Sequence, residues 1–326
     1  MGCFDRDECK YYTESLIDQI KDDVPERVYH YTKAVSFEGI IKTKEIWMRN
    51  ALFVNDKEEL RASLEANIFQ DCEFNNSEFN EFKNKPKILK PKDIEDYYLG
   101  CFSKDCNSLY QFRSYGSYCI GFDATKLKKK NFNLFKCVYE QKPIKNWIIN
   151  KDKLPGWKDD RFNCEEGKEF KKAAFSWVKF GRQVKLKNKH YESEKEIRLV
   201  ALSSSLSSRN RWPNSPEMFC EQPAIFFRHS GFFNVPVPYV KFFIPKKPIP
   251  IDSLRNMVKD KSQMEAKQII TEMNSKQEKE LLPIVTVAIG PMQNQEEVAF
   301  ATKIFLCENG YDKVEVMLSD IPFRGK

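Results

Sequence analysis

Glu194, Glu196 and Arg198 are the residues whose types and spacing most directly offer chemistry. Ile197, Leu199 and Ala201 alternate with Glu196, Arg198 and Val200, so the stretch 191–200 reads as a strand. Residues two apart in a strand share a face, which aims both carboxylates and the guanidinium the same way. Successive carboxylates then stand roughly 7 Å apart along the backbone. Such a row is either a cross-strand charge ladder or a catalytic edge.

Five further residues in three segments bear on the choice. His30 lies between two tyrosines in the strand-like segment 28–32, with the Thr32 hydroxyl on the same face. The pair suits gripping a ribose or phosphate; the plainer reading is a packed, hydrogen-bonded histidine. Ser103 ends an apolar strand before a short aromatic helix, where it lines a site or merely caps the helix. Tyr115 and Phe112 belong to that helix, and core packing is their plainer role. A Ser–His–Asp hydrolase lacks its Gly-x-Ser-x-Gly elbow. Together the set suits cleavage of an N-glycosidic bond. One carboxylate would stabilise a ribosyl oxocarbenium and hold the sugar 2-hydroxyl. A second would activate the acceptor as general base, and aromatic rings would stack the leaving base.

The elements that must position these groups are legible in order. Helices are expected over 10–24, after Ser36, from Asn55-Asp56 to about Ala66, over 108–115 up to Gly116, over 165–180, from Asp252 to about Leu282, and over 296–309. Strands are expected at 28–32, 45–48, 97–103, 118–122, 135–139, 191–200, 224–228, 239–245, 284–289 and 314–319. The segments 73–96 and 141–189 read as insertions, as does the helical 252–282. Helices and strands mix without a regular βαβ rhythm, which predicts one α+β domain over 1–326 with its core at about 26–325. No Gly-rich phosphate loop occurs among the 12 glycines.

Composition narrows the class. The 326 residues are 41% hydrophobic and 13% aromatic, enough for a substantial core. The charged residues 1–8 carry no apolar signal segment and no long apolar window occurs, so the cytoplasm is the expected location. Ten cysteines without a secretion signal are expected as free thiols. No Cys-x-x-Cys occurs and the three histidines are scattered, so no metal site is expected. The net charge of +7 comes with lysine runs at 83–92 and 126–130, which are solvated loops or contacts to an anionic partner such as nucleic acid.

These segments resemble the ADP-ribosyltransferase superfamily, and within it the mostly prokaryotic domain-of-unknown-function family 2971. The markers are Tyr29-His30-Tyr31-Thr32, Gly39-Ile40-Ile41 before Ile46-Trp47, and Asn55-Asp56 with Glu59. They continue through Cys101-Phe102-Ser103, Phe112 to Gly116, Gly121-Phe122, Glu194 to Arg198, Ile289-Gly290-Pro291 and Ser319 to Arg324. Phe112 and Tyr191 stand where the family usually shows Trp.

The resemblance implies two packed, mostly antiparallel sheets clasping NAD as co-substrate. It implies Glu196 as catalytic glutamate and Glu194 as its aid toward the acceptor. His30, with Thr32 beside it, would hold the adenosine ribose, Ser103 would line the nicotinamide side, Tyr115 would stack, and Arg198 would orient the carboxylates. The leading expectation is an NAD-dependent ADP-ribosyltransferase acting on nucleic acid or protein, of a toxin or antiphage type. The alternatives are an NAD or nucleoside hydrolase and a non-catalytic nucleic-acid- or protein-binding module. Either enzyme needs His30, Ser103 and Glu196 to line one open cleft; separation or full burial argues for the module.

Overall fold

The structure, a computed structural model, describes residues 24–54, 97–129, 132–139, 184–185, 187–203, 222–230 and 234–323. The helices expected at 10–24, 55–66 and 165–180 lie outside the described residues. So do the insertion 73–96 and most of 141–189. The chain divides into two compact units, residues 1–23, 56–89 and 135–192 in one, and 24–55, 90–134 and 193–326 in the other. The second holds the elements that position the candidate site.

Among the described residues the fold is mixed α+β, with a mostly antiparallel sheet of ten strands and several helices. In chain order the described elements are β1 (Arg27–Thr32), α1 (Ala34–Thr43), β2 (Ile46–Asn50), β3 (Tyr97–Ser103), α2 (Leu109–Tyr115), β4 (Tyr118–Asp123), α3 (Ala124–Leu127) and β5 (Phe132–Lys136). There follow β6 (Glu196–Leu202), β7 (Ile225–Ser230), β8 (Val235–Phe242), α4 (Ile251–Val258), α5 (Gln263–Lys276), β9 (Ile284–Ile289), α6 (Gln295–Glu308) and β10 (Glu315–Leu318). Among the described residues no helix is long and apolar enough to cross a membrane.

The sheet branches at β3, so the strands are joined by one hydrogen-bonded network where two separate sheets were expected. Along one edge β3 pairs with β6 over its full length, from Tyr97↔Leu202 to Ser103↔Glu196. Its other edge is shared: β2 takes the N-terminal end at Leu99 and Tyr98, and β1 takes Ser103. From β1 the sheet continues through β4 and β9 to β10, which is parallel to β9; from β2 it continues through β8 to β7. The central strands are apolar on the inner face, where Val28, Ile120, Phe122, Phe102, Ile197, Leu199 and Val287 form the main core with Phe37 and Ile41 of α1.

The helix expected from Asp252 to Leu282 is in fact α4 and α5, with a smaller core of Leu254, Val258, Ala266 and Ile270. Asp260 turns the chain in the left-handed region at φ 65°. Ser262 and Glu265 then close a reciprocal capping box that starts a new helix. Strand β8 begins four residues before the expected 239, through Pro236 and Pro238. Those prolines lie beyond the stretch of β8 that pairs with β2, so that side of the ladder loses no donor there. Strand β5 lies three residues before its expected start.

Glu45, just before β2, is buried and accepts hydrogen bonds from Lys279 at 2.7 Å and the Trp47 indole at 2.8 Å, with Lys241 at 3.1 Å. Burial pushes its carboxyl up, but the three donors together outweigh it and hold the group below its ordinary value of 4.5. A depressed folded pKa stabilises the fold above the unfolded pKa, and that contribution is lost as pH falls through the folded value. Urea unfolding followed from pH 7 downward should therefore show a steeper acid loss for wild type than for Glu45→Gln. Parallel curves would remove Glu45 from the acid response.

Candidate functional site

Strand β6 starts at Glu196, not near Tyr191. Residues Lys189–Glu194 form a 3₁₀ turn, and Lys195 adopts a left-handed conformation at φ 45°. The physical reason is that Glu192, Ser193 and Glu194 offer no apolar side to bury. Ile197, Leu199 and Ala201 do, and the strand begins where they reach the core. Glu196 and Arg198 still share a face, whereas Glu194 reaches the site from the turn.

Register aligns three side chains on one face of the sheet. Tyr29 of β1 stands opposite Ser103 of β3, and Ser103 stands opposite Glu196 of β6. Arg198, opposite Cys101, follows on the same face. Its Nε donates to Glu196 Oε1 at 3.2 Å and its Nη2 lies 3.5 Å from Oε2, a two-point fork. Arg198 is 0% exposed and Glu196 3%, so the ion pair lies beneath the surface.

Glu194 is held mainly through its backbone. Its carbonyl accepts from Ser103 Oγ at 2.8 Å and from Gln111 Nε2 at 3.0 Å. Its carboxylate accepts from the Tyr115 hydroxyl at 2.9 Å. Ser103 Oγ also accepts from the Asp105 amide at 3.1 Å. The residue thus fastens the turn before β6 to the loop after β3, and Ser108, not Ser103, caps α2. Lys195 donates to Asp105 across the same loop at 3.1 Å. Burial pushes the Asp105 carboxyl up, but the Asn107 amide and Lys195 hold it below the usual range.

Helix α2 brings Gln111 and Tyr115 to this point because Phe112 packs edge-on against Tyr31, ring centroids 4.9 Å apart. The Tyr31 hydroxyl donates to the Asp105 carbonyl at 2.8 Å and accepts from the Ser108 amide at 3.0 Å. Sequence reasoning gave no role to Gln111, Tyr31 or Asp105. A glutamine inside a short aromatic helix and Asp105-x-Asn107 after a strand end were the available signals.

His30 and Thr32 are not part of this gathering. Tyr29 shares the Ser103 face, so strand alternation turns His30 and Thr32 to the opposite side of β1. There the His30 ring tilts against Phe102, centroids 5.7 Å apart, and its Nδ1 lies 2.9 Å from the Cys101 carbonyl. That carbonyl sits in the fork where β1 and β2 part from β3, and the imidazole meets it where the β1 ladder has ended. Burial pulls the imidazole below its ordinary value, opposed by the Cys101 hydrogen bond. Thr32 is itself buried.

Thus Ser103, Tyr115, Glu194, Glu196 and Arg198 come together, and His30 and Thr32 do not join them. Ser103 and Glu196 are both buried, so the three marker residues do not line one open cleft. Glu196 is engaged as an ion-pair partner and Glu194 as an acceptor from tyrosine, an arrangement suited to locking a strand junction. Comparison of the chain with protein-family models, with curated proteins and with solved structures finds no match.

Proposed function

We propose that this chain is a non-catalytic binding module for nucleic acid, and that Glu194 and Glu196 fasten the junction of β1, β3 and β6. The observation that carries it is the Glu196–Arg198 fork beneath the surface, with His30 turned to the other side of the sheet. A buried carboxylate joined to a guanidinium is engaged in holding that partner, and removing either member disrupts a buried ion pair. The partner class is supported by the net charge of +7 and by Lys126, Lys128 and Lys129, all exposed.

A second reading, NAD-dependent ADP-ribosyl transfer or NAD hydrolysis at Glu196, draws support from two observations. The left-handed Lys195 stands between the two glutamates, and backbone strain collects at functional sites. The divergence of β1 and β2 from one edge of β3 also splits the sheet where a two-sheet NAD cleft would open. In this reading Glu196 would hold the nicotinamide ribose, Glu194 and Tyr115 would serve the acceptor side, and the buried row would have to part for NAD to enter.

Nicotinamide release from NAD by the purified chain, beside Glu196→Gln and with and without RNA or DNA, separates the two. The expected result is no release, with nucleic-acid binding by Glu196→Gln, shown by circular dichroism to be folded, within about twofold of wild type, since a shift of that size is only a few tenths of a kcal/mol. Release that depends on Glu196 overturns the module. Free ADP-ribose would then mark hydrolysis, and a modified macromolecule would mark transfer.

A further inference from the structure

The sheet face that carries Ser103 and Glu196 continues across β2, β8 and β7. Register places Trp47 opposite Lys241, Arg49 and Phe226 on either side of Tyr239, and Arg228 opposite Val237. Trp47 stacks on Tyr239 with ring centroids 4.7 Å apart and an interplanar angle of 29°, and Phe226 lies 5.8 Å from Tyr239 on the far side. Cations sit among the rings: Lys241 Nζ is 4.5 Å from the Phe226 centroid, and the Arg228 guanidinium is 5.7 Å from that of Trp47. Trp47 remains 43% exposed, with Arg49 and Arg228 half-buried beside it. Arg228 is close enough for its charge to act on Arg49.

Arg49 and Arg228 lie on one face of the sheet, and two guanidiniums there offer forked donors to adjoining phosphates. Lys241 and Lys279 both contact Glu45, at 3.1 and 2.7 Å, and among the described residues of the patch Arg49 and Arg228 add two further cations. An exposed indole backed by a second ring presents a flat surface to any base, and only an unpaired strand offers its base faces. An acidic peptide would answer the cations but leave the indole unused.

We propose that this face of β2, β8 and β7 binds single-stranded nucleic acid, with a base stacked on Trp47 and the adjoining phosphates at Arg49 and Arg228. The assignment rests on the reading of the chain as a nucleic-acid-binding module, and it names the surface and the strand state.

The test is fluorescence anisotropy of the full-length chain with labelled oligonucleotides of roughly 12 nucleotides, within the span one such platform covers. RNA and DNA single strands are compared with the matching duplex, and poly-glutamate is the competitor. Single strands should bind and quench the tryptophan fluorescence. Trp47→Ala should weaken binding about tenfold, as expected for one lost stacking contact, and Trp47→Phe should restore most of it. Arg228→Gln should lower the slope of log affinity against log salt by about one. Circular dichroism of each variant checks that the fold is kept.

Wild-type binding that neither Trp47→Ala nor Arg228→Gln changes would overturn the platform and leave the module standing. Preference for the duplex, or equal competition by poly-glutamate, would also overturn the platform. No binding of any nucleic acid at low salt would overturn the module itself.

Discussion

Arg198→Met should lose about 3–5 kcal/mol of unfolding free energy, the usual cost of stranding one member of a buried ion pair. The guanidinium is fully buried and donates twice to Glu196, itself 3% exposed. Without it, the carboxylate loses two charge-assisted hydrogen bonds in a low-dielectric interior. The double variant Glu196→Gln/Arg198→Met should recover most of the loss, because both charges of the pair are then removed together. Urea denaturation of the wild type, both single variants and the double variant gives the coupling energy directly. A loss for Arg198→Met below about 1 kcal/mol, the range of exposed pairs, would show that the pair does not secure the strand.

Gly116→Ala should be comparably damaging, at about 3 kcal/mol or more. Gly116 ends α2 with φ 131° and ψ 175°, a conformation that belongs essentially to glycine. A Cβ there would also meet the Thr32 carbonyl oxygen at 2.5 Å and the Lys33 amide nitrogen at 2.6 Å, backbone atoms with no rotamer to retreat into. Relief requires α2 to move away from β1, which takes Gln111 and Tyr115 off Glu194. Gly39→Ala is the control: nothing lies within 4 Å of its added Cβ inside α1, so stability should rise by about 0.5–1 kcal/mol. Thermal unfolding of the two variants should shift in opposite directions. Equal shifts would remove Gly116 from its assigned role.

Apolar content explains which parts of the fold were legible in the sequence. The segments 97–103 and 284–289 match β3 and β9 residue for residue, because a short run of large or β-branched residues admits few other structures. The helix over 109–115 and its stop at Gly116 were equally clear, since the terminator is written locally, although the cap is Ser108 and not Ser103. The start of β6 was not, because polar alternation over 191–196 satisfies a strand pattern without any buried face to enforce it. The Ser262-x-x-Glu265 box was present in the expected long helix, but local propensity across 252–282 masked it.

The site divided along the same line. The partnership of Glu196 and Arg198 follows from a spacing of two on one strand. Whether Ser103 and His30 share their face depends on which residues pair between β1 and β3, and the single aligned pair Tyr29↔Ser103 decides it. A shift of one residue there would have put His30 beside Ser103, on the face that carries Glu196. Pairings between segments some seventy residues apart leave no local trace in composition.

The branching at β3 also constrains how the chain comes off the ribosome. By the time β4 has emerged, its free edge awaits β9, whose partner residues begin with Ile284 against Phe122. The outer edge of β2 likewise waits for Tyr239 to Phe242 of β8. Both flanks of the nascent half-sheet therefore remain open over more than a hundred residues of synthesis, at translation rates of about 5–20 residues per second. Bare strand edges recruit other strands. A chain that stops between β4 and β9 would leave strand edges able to pair with a neighbouring nascent chain, so closure of both flanks waits for β8 and β9.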